Sequence, residues 1–162
     1  MTFRIGDFNL MDCASVCSNL RAEDQREIAA TRGKLDLDGV MRLIRDCERL
    51  QNYLVIAYND DEPIAVMGAM PMHAGVFSGW MFATDRFDVI GLPMTKWARR
   101  HFFAGLREMG AHRVEAHSIE GHTKSHRWIE AIGAKLEAEV PRFGVNGENF
   151  LRFAYLWPED ES

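Results

Sequence analysis

From residue 77 to residue 156 the chain passes from one strand-like or helix-like pattern to the next without a break, and this succession restricts the fold more than any other feature. Residues 77–85 (FSGWMFATD) read as a strand. Residues 86–92 read as a loop, after which Pro93 suits the first position of a helix, because its fixed φ is already helical and its missing N–H is not needed there. Met94, Trp97, Ala98, His101, Phe102, Leu106 and Met109 then recur at helical spacing. Lys96, Arg99, Arg100 and Arg107 fall mostly outside that stripe, so one face packs on a sheet, and Gly110 ends the helix. Residues 113–119 alternate Val114, Ala116 and Ser118 against Glu115 and His117, a strand signal. A second helix covers residues 123–132, with Thr123 as N-cap, Trp128, Ile129 and Ile132 as the apolar face and Gly133 as the stop. Two strands, 134–143 and 149–157, flank Gly144-Val145-Asn146-Gly147, whose Asn-Gly marks a hairpin.

The N-terminal half supplies compatible elements. Residues 2–8 form a first strand and 10–20 a first helix, with Asp12 near the positive end of the helix dipole. Helical patterns follow over 22–30 and, after the Gly33 break, over 36–50, where Val40, Leu43, Ile44 and Cys47 share a face. Strands at 52–58 and 63–70, joined by the polar turn Asn59-Asp60-Asp61-Glu62, make an antiparallel hairpin. The order is strand, two helices, three strands, helix, strand, helix, two strands, which gives an α/β domain around one mixed sheet.

With 162 residues, 47% of them hydrophobic, the chain forms one domain over residues 1–158, and the acidic tail 159–162 is expected to be disordered. A net charge of −5 argues against nonspecific nucleic-acid binding, leaving only a local basic patch on the helix after Pro93. Cys13, Cys17 and Cys47 are odd in number and lack paired metal-ligand spacing, which points to buried reduced thiols and a cytoplasmic protein. No apolar run approaches membrane-spanning length and no basic-then-apolar leader is present, so no membrane association is expected. His112, His117, His122 and His126 have no carboxylate or cysteine at matching spacing, so no metal is assigned. There is no Gly-x-Ser-x-Gly elbow and no P-loop. Trp80, Trp97, Trp128 and Trp157 are read as core filling.

The element order resembles the GNAT (GCN5-related N-acetyltransferase) acyltransferases over nearly the whole chain. The most specific part is Ser125-His126-Arg127-Trp128-Ile129-Glu130-Ala131-Ile132-Gly133-Ala134, followed by the Pro141-Arg142-Phe143-Gly144 hairpin. Within that superfamily the chain is similar to small GNAT-like proteins of tailed phages, some of them internal virion proteins. That likeness is carried by Asp24-Gln25-Arg26-Glu27-Ile28, Glu62-Pro63-Ile64-Ala65-Val66-Met67-Gly68, Trp80 with Thr84, Arg127-Trp128, and Asn149-Phe150-Leu151-Arg152-Phe153. The resemblance implies a mixed, mostly antiparallel sheet of about seven strands flanked by about four helices. It also implies acetyl-CoA as cofactor, an acyl-CoA as donor and an amine as acceptor.

In that family two neighbouring parallel strands splay and expose backbone groups to the pantetheine arm, while the pyrophosphate sits on the amides of the next helix. Carried onto this sequence, the cofactor-binding residues are Phe82, Ala83, Thr84, Arg86, Gly91, Leu92, Lys96, Lys124 and Trp128. The resemblance makes Glu27, His117, Asp85 and Ser125 the candidate catalytic residues, with Glu27 and His117 first as bases, Glu115 a further carboxylate and His126 beside Ser125. The chain departs from the family at two places. The phosphate loop, an Arg or Gln, two residues, Gly, one residue, then Gly or Ala, is replaced by Arg86-Phe87-Asp88-Val89-Ile90-Gly91-Leu92-Pro93, with one glycine and with Asp85 and Asp88 beside it. The tyrosine that often serves as acid on the last helix falls at Ile129. These departures keep open an alternative: a catalytically inactive GNAT-like protein of a phage, with a protein partner in the virion or the host. A homodimer formed through the last hairpin is compatible with either.

Overall fold

The structure, a computed structural model, describes residues 2–49 and 53–158. The elements in chain order are β1 (Phe3–Asp7), α1 (Leu10–Ser18), α2 (Ala22–Arg32), α3 (Leu37–Arg49), β2 (Tyr53–Asn59), β3 (Glu62–His73), β4 (Val76–Ala83) and α4 (Phe87–Trp97). Helix α4 continues through a π-turn (Ala98–Phe102) into α5 (Phe103–Glu108), and β5 (Arg113–Ile119), α6 (Thr123–Ala131), β6 (Lys135–Val140) and β7 (Phe150–Leu156) follow. The expected helix end at Leu50, strand start at Asn52 and tail 159–162 lie outside the described residues, as does the side chain of Cys47.

The strands form one seven-stranded sheet in the order β1-β2-β3-β4-β5-β7-β6, and only the β4–β5 pair is parallel. Strand alternation sends Ile56, Tyr58, Val66, Trp80 and Phe82 to one face, where Val16, Ile28 and Ile44 of α1–α3 cover them. Val55, Ala57, Met67 and Phe77 go to the other, under Phe87, Ile90, Met94, Phe102 and Leu106. Cys13 and Cys17 are buried free thiols in the first of these layers. The expected four-residue turn after β2 tightens to Asp60-Asp61, with Asp60 at φ 52°, because Asn59 and Glu62 pair as the last rung of the hairpin. Among the described residues, no helix is long and apolar enough to cross a membrane.

Four expectations are corrected. Residues 86–92 are not a loop, and Pro93 does not open a helix: α4 starts at Phe87 and Pro93 lies inside it. Phe87, Ile90 and Met94 are all buried, so the apolar stripe begins a turn and a half before the proline. The proline is tolerated because the bond it forfeits is to the carbonyl of Val89, on the exposed side of the helix. Further along, the π-turn bulges Arg99, Arg100 and His101 outward while keeping Ala98 and Phe102 in the core. Finally, the N-cap of α6 is His122 rather than Thr123, its ring nitrogen Nδ1 accepting the Ser125 N–H at 3.4 Å. Strands β6 and β7 are shorter than expected; the segment between them turns at Gly147 (φ 87°) and docks on α2 through a Val145 N–H to Ala30 C=O bond of 2.8 Å.

Candidate functional site

Strands β4 and β5 pair only at Val76–Arg113, Phe77–Val114 and Ser78–Glu115, and beyond these rungs they separate into a fork. The Thr84 N–H bonds to the Ile64 carbonyl of β3, so by alternation the backbone groups of Met81 and Ala83 point into the fork. On the other arm the Glu120 N–H goes to Asn149, which turns those of His117 and Ile119 inward. A buried backbone group needs a partner. At the wide end, Ala83 and Ile119 find theirs within the protein. The Ala83 N–H donates to Asp24 Oδ2 at 2.8 Å, and its carbonyl accepts from the Arg21 N–H at 3.0 Å. The Ile119 N–H donates to Glu27 Oε1 at 2.9 Å, and its carbonyl lies 3.2 Å from the His122 N and 3.1 Å from the His126 ring. Deeper in the fork, Met81 and His117 face a cavity.

Asp24 and Glu27 stand one turn apart on α2, so one helix reaches both arms of the fork. Asp24 is 2% exposed and also takes the Arg21 guanidinium at 2.9 Å and His122 Nε2 at 2.8 Å. Because His122 Nδ1 accepts from Ser125, the ring proton sits on Nε2 and is donated to Asp24. Asp24, Glu27 and His122 offer ligand atoms within 4.8 Å of one another, as a metal site would. Here, however, the imidazole lone pair and both Asp24 oxygens are already bonded within the protein, and a guanidinium lies alongside. Burial pushes the Glu27 carboxyl up to about 7; His122 and the Ile119 N–H partly oppose this, and the charge of Asp24 adds to it. The buried Ser118 hydroxyl, next to Glu27, makes no hydrogen bond of ordinary geometry.

The cavity measures about 400 Å³ and passes through the fork from Glu27, Ile44 and Trp80 on the α2–α3 face to Phe102, Trp128 and Ile132 on the α4–α6 face. It joins Glu27, His117, Ser125, Phe82 and Trp128 of the residues singled out from sequence. His117 stacks on Phe143 at 4.8 Å and 4°, and burial holds its ring below the ordinary histidine range. His126 is lowered for the same reason. Trp128 meets Phe87 edge-on at 5.6 Å, and its buried Nε1 has no partner among the described residues.

The other sequence candidates lie outside the cavity. Asp85 is exposed at the start of α4, and Glu115 is paired with Arg113 at 2.8 Å. Ala83 has its backbone groups bonded, and Thr84 Oγ1 accepts the Arg86 N–H at 3.3 Å. Arg86 is exposed and paired with Glu62, Lys124 is exposed and 3.4 Å from Asp88, and Lys96 is exposed on α4. Gly91 and Leu92 are helical, and Leu92 is 67% exposed. The sequence alone assigns no role to Arg21, Asp24 or His122. Its available signal was the Asp24-x-x-Glu27 spacing; the partner, His122, lies 98 residues away.

The N-terminus of α4 is the place in this topology where an anion would sit. Its Phe87 and Val89 N–H groups already bond to the Thr84 and Arg86 carbonyls at 3.1 Å, and Asp85 and Asp88 are exposed beside it. The positive end of the helix is thus met by the protein's own acceptors.

The chain has the GNAT acetyltransferase fold. Solved structures that share it include yncA of Salmonella typhimurium, a proposed acetyltransferase with its cofactor acetyl-CoA (TM-score 0.74, 14% identity, covering 100% of this chain and 98% of that one). The ribosomal-protein-alanine N-acetyltransferase of Brucella melitensis matches with a TM-score of 0.73 at 12% identity, over 95% of this chain and 99% of that one. Ard1 of Thermoplasma volcanium matches with a TM-score of 0.72 at 15% identity, over 98% of this chain and 100% of that one. No family model matches the chain, and no curated protein matches it by sequence.

Proposed function

We propose that the protein transfers an acyl group from a pantetheine thioester, with acetyl the simplest case, to an amine. The observation that carries this reading is the fork itself: β4 and β5 part onto a cavity of about 400 Å³ whose wall holds a carboxyl titrating near neutrality. The arm of such a donor fits the inner fork, where the backbone groups of Met81 and His117 face the cavity and Phe82 and Trp128 wall it. The nucleotide end of CoA does not fit the start of α4, for the reasons of charge and bonded amides given above. When bound, a thioester supplies an acyl carbon activated toward amines.

The residues of the chain supply proton management and exclusion of water. Ile119 holds one Glu27 oxygen, leaving the other to take a proton from the acceptor amine as its nitrogen bonds to the acyl carbon; the C–S bond then breaks, and the pantetheine thiolate departs as the thiol with that proton or one from water. A carboxylate near pKa 7 is a stronger base than one at the usual value. His117, neutral at pH 7 because burial lowers it, is the second base in reach, and Ser125 is the hydroxyl on the cavity wall.

Calorimetric titration with acetyl-CoA and acetyl-pantetheine, followed by an amine-acetylation assay, tests the reading. Turnover is expected to fall about 10²- to 10⁴-fold in Glu27→Gln and measurably in His117→Ala, with the fold intact. Failure of both donors to bind at millimolar concentration would remove it. A second reading, a non-catalytic GNAT-fold protein that acts by binding another protein, is favoured by the self-bonded outer fork and the acidic start of α4. That reading expects no donor to bind.

A further inference from the structure

We infer that this site takes its donor by the pantetheine arm alone and makes no favourable contact with a nucleoside diphosphate at the arm's far end; the substrate class is therefore an acyl pantetheine thioester without a nucleotide. The inference rests on the acyltransferase reading and narrows it. A diphosphate at the mouth of the fork would need free amides at the start of α4, unpaired cations nearby, and an open outer rung through which the arm could lead. Each is curtailed: the Phe87 and Val89 amides are bonded, Arg86 and Lys124 are drawn to carboxylates, and the outer rung is closed on the β4 side.

The first-turn amides of Phe87 and Val89 are bonded to Thr84 and Arg86. Arg86 is turned to Glu62, and Lys124 to Asp88. Asp85 and Asp88 add like charge where phosphate oxygens would lie. The outer rung is closed on the β4 side by Asp24 and Arg21, both about 95% or more buried, so the arm cannot bond Ala83 without breaking an ion pair. In place of a polar mouth, the first turns of α4 expose Val89 and Leu92, which are 37% and 67% accessible. Apolar groups there offer a phosphate nothing.

The test compares pantetheine, CoA and adenosine 3′,5′-bisphosphate by calorimetry at about 50 and 300 mM salt. The expected result is that CoA and pantetheine bind within about threefold of each other at both salt concentrations, and that the bisphosphate does not compete. CoA binding more than about thirtyfold tighter than pantetheine, or displacement by the bisphosphate, would overturn the inference while leaving acyl transfer standing. If none of the three binds, the acyltransferase reading fails and the inference with it. The double variant Asp85→Asn, Asp88→Asn, on the exposed mouth, should improve CoA binding about two- to fivefold with pantetheine unchanged. An unchanged ratio of the two affinities would refute the electrostatic argument and overturn the inference. The same donor chemistry comes from free acyl-pantetheine or from pantetheine tethered through one phosphate to a carrier protein, and comparing kcat/KM for acetyl-pantetheine and an acetylated carrier protein tells the two sources apart.

Discussion

Replacing Glu27 by Gln gives a test of the site that needs no substrate. The carboxyl is raised from 4.5 to about 7, chiefly by burial. Over that interval the unfolded chain releases a proton that the folded chain keeps. Folding stability attributable to this group is therefore highest below pH 4.5, falls as pH rises through the window, and levels off above 7. At about 1.4 kcal/mol per unit, the fall is about 3 kcal/mol in all. Glutamine does not ionise, and its side-chain carbonyl can still accept the Ile119 N–H that Glu27 holds at 2.9 Å. Ionisable groups remote from Glu27 are present in both proteins and largely cancel in the difference. Urea unfolding of wild type and Glu27→Gln across about pH 4 to 8 should show the variant gaining about 3 kcal/mol on the wild type as pH rises. A difference that stays constant within about 0.5 kcal/mol would mean that Glu27 is solvated like an ordinary carboxylate, and its assignment as a base matched to neutral pH would fall with it.

Asp24→Ala leaves the Arg21 guanidinium and the Ala83 N–H without an acceptor in a buried setting and should lower stability by about 3 to 5 kcal/mol in chemical denaturation; a loss below about 1 kcal/mol would show that α2 does not hold the β4 arm. Trp128→Ala, which removes the ring packed on Phe87, should cost about 3 kcal/mol, whereas Trp128→Phe should cost much less, because it keeps a ring against Phe87 and the N–H it gives up has no partner among the described residues. Equal losses in the two variants would refute the second half of that argument.

How much of this could be seen in the sequence depended on whether the signal was local. Alternation in residues 113–119 and the Gly110 and Gly133 stops needed only near neighbours, and β5 and the ends of α5 and α6 follow them closely. The start of α4 is just as legible, since Phe87, Ile90 and Met94 recur at helical spacing, but Pro93 carries a competing signal for a later start. His122 as an N-cap could be missed because histidine is an uncommon cap, and its preference here is set by Asp24 on the other ring nitrogen. Asp24 and Glu27 were visible as an acidic pair on one helix face. Their function was not, because the strand groups they bond, Ile119 for Glu27 and Ala83 for Asp24, lie 92 and 59 residues further along the chain.

A fork between parallel strands creates a problem that the chain must solve before any ligand arrives. Every backbone group along the gap loses its sheet partner, and each one left buried and unbonded destabilises the fold. Helix α2 answers this at the wide end: Asp24 serves Ala83, Glu27 serves Ile119, the Arg21 guanidinium neutralises Asp24, and His122 Nε2 orients it. The inner groups, Met81 and His117, are left to the cavity. The position of α2 along the fork thus fixes how much backbone remains for a ligand, and a helix seated at the outer rung leaves a short inner stretch suited to an arm without a long polar extension. The arrangement also ties stability to chemistry, because the carboxylate that holds the β5 arm open is the one proposed to take the proton. Ionising Glu27 for catalysis strengthens its bond to the Ile119 N–H but carries the larger cost of a buried charge, so substitutions that lower its pKa should stabilise the protein at neutral pH while weakening the base.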